Sequence, residues 1–200
     1  MKTSIKTIIF DLGHVIVTDT TKVLEDKYRF DDMSKSKRQK YIRAFHQSES
    51  GKIPSSELLK VIHETLIPDM TPKQIEKFIT STPLQAPWKL ALRLKKLGYQ
   101  IIIFSNNQKT WPKKIARFNK VDFHQFPFVN SGVVGLRKPN LNFYNYLLKK
   151  YKVNPKATIF VDDRAKNLPP AKQLGIKTFH YKQNYRDLIK FLKQQKIKGL

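Results

Sequence analysis

Polar residues follow three short apolar runs of the sequence, and their side chains are of the types that bind metal ions and phosphate. They are Asp11 after the first run, Ser105 and Asn106 after the second, and Asp162 with Asp163 after the third. Lys138 lies between the second and third runs, in the segment G-L-R-K-P. Carboxylate oxygens suit Mg²⁺, whereas a hydroxyl, an amide and an ammonium group suit phosphate oxygens. The set predicts metal-assisted phosphate chemistry.

The apolar runs are typical of buried parallel strands that deliver a loop at their carboxyl ends. The three runs are 7–10, 101–104 and 158–161, and two weaker ones are 126–129 and 176–180. Helical patterns alternate with them at 88–97, 142–151, 165–174 and 185–192. This alternation predicts an α/β fold with a doubly wound, mostly parallel five-stranded sheet of the Rossmann-like kind. Ligands bind at the carboxyl ends of the strands in such sheets, which is where the polar residues fall.

The segment 19–83 interrupts the alternation, because it carries helical patterns and no convincing strand. Its helical stretches are 21–28, 35–46, 56–66 and 72–80. Thr71 and Pro72 make a suitable N-cap and first-turn pair for the last of them. We therefore expect an α/β core formed by residues 1–18 and 84–200, with a small all-helical cap, residues 19–83, inserted after the first strand.

Four motifs, taken in order, resemble the signature of haloacid dehalogenase-like hydrolases. They read I-I-F-D-L-G-H-V, I-I-I-F-S-N-N, G-L-R-K-P-N-L-N-F-Y and I-F-V-D-D-R-A-K-N-L. The resemblance runs from about residue 5 to residue 180 and is nearest to the subgroup whose first motif reads D-L-G, which includes sugar-1-phosphate phosphatases. The helical insertion lies where that superfamily carries its helical cap domain.

The resemblance implies a phosphatase in which Asp11 attacks phosphorus and becomes an aspartyl-phosphate, so that one hard displacement is divided into two. It implies that Ser105 and the backbone amide of Asn106 hold the phosphoryl oxygens, with Gly13 also at the phosphate. Lys138 would neutralise charge on the nucleophile and on the transferring group.

The resemblance also implies a Mg²⁺ site. Its ligands would be Asp11, the backbone carbonyl of Gly13, and Asp163 directly, with Asp162 bound directly or through water. Asn167 would contact these ligands without binding the metal itself, and so hold them in position.

Gly13 departs from the usual pattern of the superfamily. Most of its phosphatases carry an aspartate at that position, which protonates the leaving group and then activates water. Because general acid–base help contributes about 10²–10⁴-fold, we expect a slow enzyme or a substrate with a good leaving group, such as phosphotyrosine or a sugar-1-phosphate. His14 is a candidate substitute acid, although a histidine at a strand edge is more often structural.

The sequence carries 39 Lys and Arg against 15 Asp and Glu, a net charge of +24. Such a field concentrates anionic partners, which leaves an alternative function open. In that alternative the domain has lost catalysis and binds an acidic membrane or, less expectedly, nucleic acid through its basic surface. Genomic base bias would also explain the lysines, because they are spread along the chain.

The remaining composition excludes some classes of function. The chain has no cysteine, so thiolate metal sites, disulfides and cysteine catalysis are excluded. Haloacid dehalogenation is disfavoured, because Asp162 and Asp163 would bring metal-binding carboxylates to a reaction that needs none. No apolar run is long enough for a signal peptide or a membrane span, and we expect a cytoplasmic protein.

Overall fold

The computed structural model describes residues 4–200 and is built around a five-stranded sheet. The strands are β1 (Thr7–Phe10), β2 (Gln100–Ser105), β3 (Phe128–Asn130), β4 (Thr158–Asp162) and β5 (Lys177–His180). Their order is β3-β2-β1-β4-β5, and every neighbouring pair is parallel. The chain winds outward from β1 to β3 and then crosses to the other side of β1. This doubly wound sheet confirms the predicted fold class; residues 1–3 of the predicted core lie outside the described residues.

Both faces of the sheet are covered, which explains why its central strands are continuous apolar runs rather than alternating ones. All four residues of β1 are buried. Ile8 and Phe10 pack with Trp88 and Leu94 on one face, whereas Ile9 packs in a separate cluster on the other face. The two clusters fix the register of the strand, because a slip of one residue would exchange its two faces.

Outside the helical insertion, residues 4–200 form six α-helices. They are α5 (Ala86–Lys96), α6 (Trp111–Phe118), α7 (Ser131–Val134), α8 (Leu141–Lys150), α9 (Leu168–Gln173) and α10 (Tyr185–Gln194). The sequence patterns missed α6 and α7. The signal for α6 is Trp111 and Ile115 at helical spacing with Pro112 in the first turn, but charged residues dilute it. None of the helices in residues 4–200 combines the length and apolar composition needed to cross a membrane.

The helical insertion forms its own apolar cluster. Its helices are α1 (Thr20–Lys27), α2 (Lys35–Glu49), α3 (Ser55–Thr65) and α4 (Pro72–Thr80). The cluster contains Tyr41, Leu58 and Ile75, and Trp111 of α6 joins it from the sheet side. Thr71 is the N-cap of α4 and Pro72 lies in its first turn, as the Thr-Pro pair predicted, and Thr71 also forms a capping box with Gln74.

The chain enters and leaves the insertion at one place. The amide of Thr18 donates to the carbonyl of Pro83 at 3.0 Å, and the amide of Gln85 donates to the carbonyl of Ile16 at 2.8 Å. These paired backbone segments hold the helices over the carboxyl end of β1. The predicted cap boundaries, 19 and 83, stay a prediction.

The loop that follows β2 is anchored by the start of α7. The amide of Asn107 donates to the hydroxyl of Ser131 at 3.0 Å, and the amide of Gly132 donates to the carbonyl of Asn107 at 3.1 Å. The side-chain amide of Asn130 donates to the carbonyl of Gln108 at 3.1 Å. Because these bonds fix the backbone, the loop is held in one conformation at the edge of the sheet.

Gly132→Ala tests this anchor. A Cβ at Gly132 would lie 2.7 Å from the carbonyl oxygen of Asn107 and 2.7 Å from the amide nitrogen of Lys109, which are backbone atoms. We expect a loss of about 1–3 kcal/mol in the free energy of unfolding, because the loop must shift. Urea denaturation measures it, with Val133→Ala as control because Val133 is 64% exposed. Equal stability of the two variants would contradict the close approach.

Candidate active site

A cleft with a volume of about 280 Å³ lies between the carboxyl ends of the strands and the helical insertion. Five of the predicted site residues line it: Asp11, Gly13, Asn106, Lys138 and Asp163. The other two, Ser105 and Asp162, are not among the lining residues and are 1% and 0% exposed at the ends of their strands. The fold therefore brings residues from four separate segments to one place.

The ammonium group of Lys138 is the centre of the site. Its Nζ lies 2.9 Å from Oδ1 of Asp11 and 2.6 Å from Oδ2 of Asp162, and it donates to the carbonyl of Phe104 at 2.9 Å. An ammonium group has three hydrogens, so each has an acceptor. The side chain is only 1% exposed. Lys138 thus connects the carboxyl ends of β1, β2 and β4.

Asn106 fixes the backbone of Lys138 from both sides. Its side-chain nitrogen donates to the carbonyl of Lys138 at 2.9 Å, and its Oδ1 accepts from the amide of Lys138 at 2.8 Å. The sequence resemblance implied a phosphate contact for the backbone amide of Asn106 and no role for its side chain. The side chain therefore has a second task, which is to position the lysine.

The site shifts the pKa values of its acids and of its lysine. Burial raises the pKa of Asp11 well above its usual value, and the neighbouring Asp162 and Asp163 raise it further, while Lys138 works against them. Burial would lower the pKa of Lys138, but its contacts with Asp11 and Asp162 outweigh burial and raise it. For Asp163, burial is outweighed by the hydrogen bond with His14 and by Arg164, so its pKa is lowered. Lys138 and Asp163 therefore stay charged at neutral pH.

The three carboxylates fit a divalent cation. One oxygen from each of Asp11, Asp162 and Asp163 lies within 4.8 Å of the others. Asp162 already accepts from Lys138, from the amide of Arg164 at 2.8 Å and from the side chain of Asn167 at 2.9 Å. Asp163 lines the cleft instead. This difference suits direct metal binding by Asp163 and a weaker or indirect contact by Asp162.

Asn167 adds a further oxygen near the carboxylates. Its Oδ1 is buried and has no hydrogen-bond partner within residues 4–200, and Asn167 lines the cleft. An amide oxygen is a ligand that Mg²⁺ accepts, either directly or through its bound water. The donor set of carboxylates and an amide oxygen, without nitrogen or sulfur, matches a hard cation such as Mg²⁺.

Gly13 and His14 complete the loop after β1. Gly13 is not in the left-handed region, and a Cβ added there would meet no atom within 4 Å. His14 has a φ of 59°. Its Nδ1 lies 3.5 Å from Oδ2 of Asp163, and this contact raises the pKa of the His14 imidazole. His14 is not among the residues that line the cleft. Its side chain is thus placed to orient Asp163.

An ion pair that the sequence analysis missed connects the insertion to the site. Arg137 precedes Lys138, and its guanidinium donates twice to Oε2 of Glu49 in α2, at 2.6 and 3.1 Å. Both residues line the cleft. Glu49 lies 88 positions away in the sequence and in no recognisable motif, so only the tertiary structure reveals the pair.

Comparison with known proteins gives the class. Residues 5–175 match the family described as haloacid dehalogenase-like hydrolase, and the chain belongs to that family. This confirms the resemblance read from the four motifs and the prediction of a hydrolase.

Two curated relatives and one solved structure are similar to particular parts of the chain. D-ribitol-5-phosphate phosphatase from Bacteroides thetaiotaomicron is 26% identical over 189 residues, which are 88% of this chain and 91% of the relative. Glyceraldehyde 3-phosphate phosphatase from Methanocaldococcus jannaschii is 32% identical over 106 residues, 50% of this chain and 45% of the relative, so the chain spans less than half of that protein. One solved structure is a haloacid dehalogenase family enzyme from B. thetaiotaomicron in complex with magnesium and inorganic phosphate. It shares the fold with a TM-score of 0.70 at 22% identity, and the match covers 92% of this chain and 99% of that one.

Lys138→Met tests the central ammonium group. Removing it leaves two buried carboxylates without their cation, and breaking such a pair typically costs about 3–5 kcal/mol. Burial already raises the pKa of Asp11, and loss of Lys138 should raise it further, so the stability deficit should be small at low pH, where Asp11 is protonated, and grow as the pH rises. Urea denaturation at several pH values, with a chelator present, measures it.

Lys172→Met is the matched control, because Lys172 is exposed on α9. It should change stability by less than about 0.5 kcal/mol at any pH. A Lys138→Met deficit that does not depend on pH would show that lost packing, and not lost charge, explains the effect.

Proposed function

We propose that the chain is a magnesium-dependent phosphatase that acts through an aspartyl-phosphate on Asp11. The observation that carries the proposal is the convergence of Asp11, Lys138 and the Asp162–Asp163 pair at the carboxyl ends of three neighbouring strands. Membership of the hydrolase family and the phosphatase names of the relatives support it.

The contacts of Asp11 indicate which of its oxygens reacts. Oδ1 accepts from Lys138 at 2.9 Å and from the amide of Leu12 at 2.8 Å. Oδ2 is therefore the oxygen that attacks phosphorus, and the bond from phosphorus to the leaving oxygen breaks. The leaving oxygen takes a proton from solvent, because Gly13 offers none.

The second step regenerates the enzyme. Water attacks phosphorus, the bond to Asp11 breaks, and inorganic phosphate leaves with the oxygen of that water. Lys138 stabilises negative charge on Asp11 and on the transferred group in both steps, and Ser105 and the amide of Asn106 hold the phosphoryl oxygens. Asp11, the Gly13 carbonyl and Asp163, with Asp162 in a supporting contact, would hold Mg²⁺, which would supply further positive charge at the phosphate.

A small phosphorylated molecule is the substrate that the cleft favours. The space of about 280 Å³ is lined on one side by the helical insertion, which we propose acts as a cap over residues of the core. A phosphotyrosine in a protein would have to enter this space with its polypeptide attached, so a small phosphorylated sugar, the class that contains the expected sugar-1-phosphate, is better supported than phosphotyrosine. The relatives are named for D-ribitol 5-phosphate and glyceraldehyde 3-phosphate, which are small phosphomonoesters.

The alternative, a binding module without catalysis, is favoured by one observation, Gly13 in place of an acid. A net charge of +24 would then attract an acidic membrane or another polyanion. Magnesium-dependent hydrolysis of p-nitrophenyl phosphate distinguishes the two functions, because only the phosphatase releases nitrophenol. A cytoplasmic location remains a prediction.

Asp11→Asn tests the nucleophile. The amide keeps the shape of the side chain but loses its nucleophilic charge, so we expect kcat for p-nitrophenyl phosphate to fall by at least about 10³-fold. Asp26→Asn is the control, because Asp26 is 63% exposed on α1 and outside the cleft. Activity within a few fold of wild type in Asp11→Asn would contradict the aspartyl-phosphate.

Aryl phosphates test the missing acid. Without protonation, the rate should rise steeply as the leaving phenol becomes more acidic, and alkyl phosphates should react slowly. Gly13→Asp should flatten this dependence and help alkyl substrates most, since the position has room for a side chain.

Gly13→Asn is the matched control, because it has nearly the same size but cannot transfer the proton. Equal slopes for the Asp and Asn variants would reject the role assigned to position 13. A shallow slope in the wild type would instead reveal another proton donor, and His14→Gln would then identify or exclude the histidine.

A further inference from the structure

We propose that Gln108 and Trp111 form a subsite for hydroxyl groups of the leaving group, so that among alkyl phosphates the preferred substrates are the phosphomonoesters of uncharged polyols or sugars. The subsite lies in the cleft that contains Asp11. This inference rests on the proposed phosphatase function, since it describes the part of the substrate that the phosphate site does not bind.

Two buried N–H groups on residues that line the cleft carry the proposal. Nε2 of Gln108 and Nε1 of Trp111 are inaccessible to solvent and have no hydrogen-bond partner among the described residues. Gln108 is 2% exposed and Trp111 is 3% exposed, and both line the cleft. Buried donors are almost always paired in folded proteins, so these two groups call for an acceptor that a ligand would bring.

An acceptor accompanies the two donors. Oδ1 of Asn107 is likewise buried without a partner in residues 4–200, and Asn107 lines the same cleft. A hydroxyl group both accepts and donates a hydrogen bond, whereas an ether or a carbonyl oxygen only accepts. Donors and an acceptor on residues that line one small cleft therefore match hydroxyl groups.

The backbone that carries these groups is anchored before any substrate binds. The carbonyl of Gln108 accepts from Asn130 at 3.1 Å, and the backbone of Asn107 is tied to the start of α7. The ring of Trp111 meets the ring of Phe45 in α2 edge-on, with 6.4 Å between centroids. Fixed donors lose little freedom on binding, which favours selective recognition.

The charges in the cleft exclude a second anionic group on the substrate. Outside the residues assigned to phosphate and metal, the ionised side chains that line the cleft are three carboxylates and two guanidinium groups: Asp19, Glu25, Glu49, Arg137 and Arg164. Arg137 is paired with Glu49 at 2.6 Å, and Arg164 lies 3.8 Å from Asp19. The net charge of this set is −1, although the whole chain carries +24. The leaving group that fits this part of the cleft is polar and uncharged.

Aromatic rings complete this part of the cleft. Phe30, Tyr41 and Phe45 line it from the insertion, and the hydroxyl of Tyr41 donates to Glu25 at 2.9 Å. Ring faces pack well against the C–H groups of a polyol chain, while the buried amide and indole groups meet its oxygens.

The test compares two phosphates with the same four-carbon chain. Erythritol 4-phosphate carries hydroxyl groups, and n-butyl phosphate lacks them. We expect kcat/KM of the wild type to favour erythritol 4-phosphate by at least about tenfold, because a site with buried donors rejects an analogue that leaves them unpaired. 4-Phosphoerythronate, which adds a carboxylate, should be a poorer substrate than the polyol.

Trp111→Phe and Gln108→Met remove one donor each while keeping most of the side-chain volume. Each variant should lower kcat/KM for erythritol 4-phosphate by about 5- to 100-fold and for n-butyl phosphate by less than about twofold. Trp88→Phe is the control for replacing a buried tryptophan, because Trp88 lies in the sheet core and outside the cleft. An equal loss for both substrates would overturn the subsite and assign the two residues a structural role.

Binding measurements separate this inference from the proposed function. In the Asp11→Asn background, calorimetry should show erythritol 4-phosphate binding at least about tenfold tighter than n-butyl phosphate, and Trp111→Phe should abolish that preference. If the wild type hydrolyses p-nitrophenyl phosphate but shows no preference in either measurement, the subsite is wrong and the phosphatase stands. If no phosphate ester is hydrolysed but the binding preference holds, the proposed catalysis is wrong and the subsite stands.

Discussion

The buried ammonium group of Lys138 is the constraint on which the site depends. A charge that is 1% exposed is tolerated only when it is paired and fully hydrogen-bonded. Its three acceptors come from the carboxyl ends of three strands: Asp11 of the loop after β1, the carbonyl of Phe104 in β2, and Asp162 at the end of β4. The three hydrogen-bonding contacts of Lys138 therefore fix the relative positions of the proposed nucleophile, the loop after β2 and the proposed metal-binding pair.

The three aspartates of the site, Asp11, Asp162 and Asp163, have different environments. Asp162 is occupied by Lys138 and Asn167 and is inaccessible, while Asp163 faces the cleft with a lowered pKa. Asp11 lies between them, with one oxygen held by Lys138 and the amide of Leu12. The burial that raises the pKa of Asp11 would weaken it as a nucleophile, and the positive charge proposed at the phosphate works in the opposite direction.

The strong positive charge of the chain and the choice of substrate are separate properties. Lys138 is the one lysine among the described residues that line the cleft, and outside the residues assigned to phosphate and metal the cleft carries three carboxylates and two guanidinium groups. A long-range positive field raises the rate of encounter with any phosphate ester. In the proposed subsite, selection depends on short-range contacts with Gln108 in the loop after β2, with Trp111 of α6 and with the aromatic rings of α2.

The sequence alone determined the five strands, the helical insertion and the motif residues, because buried parallel strands are continuous apolar runs and their polar termini are conspicuous. It missed α6, whose apolar positions are diluted by charged residues, and α7, which is a single turn. Only the tertiary structure decided that the side chain of Asn106 holds the Lys138 backbone, that Glu49 pairs with Arg137, and that the Gln108 and Trp111 donors lie unpaired in the cleft. Such contacts join residues far apart in the chain or depend on where a side chain points, and local patterns carry neither kind of information.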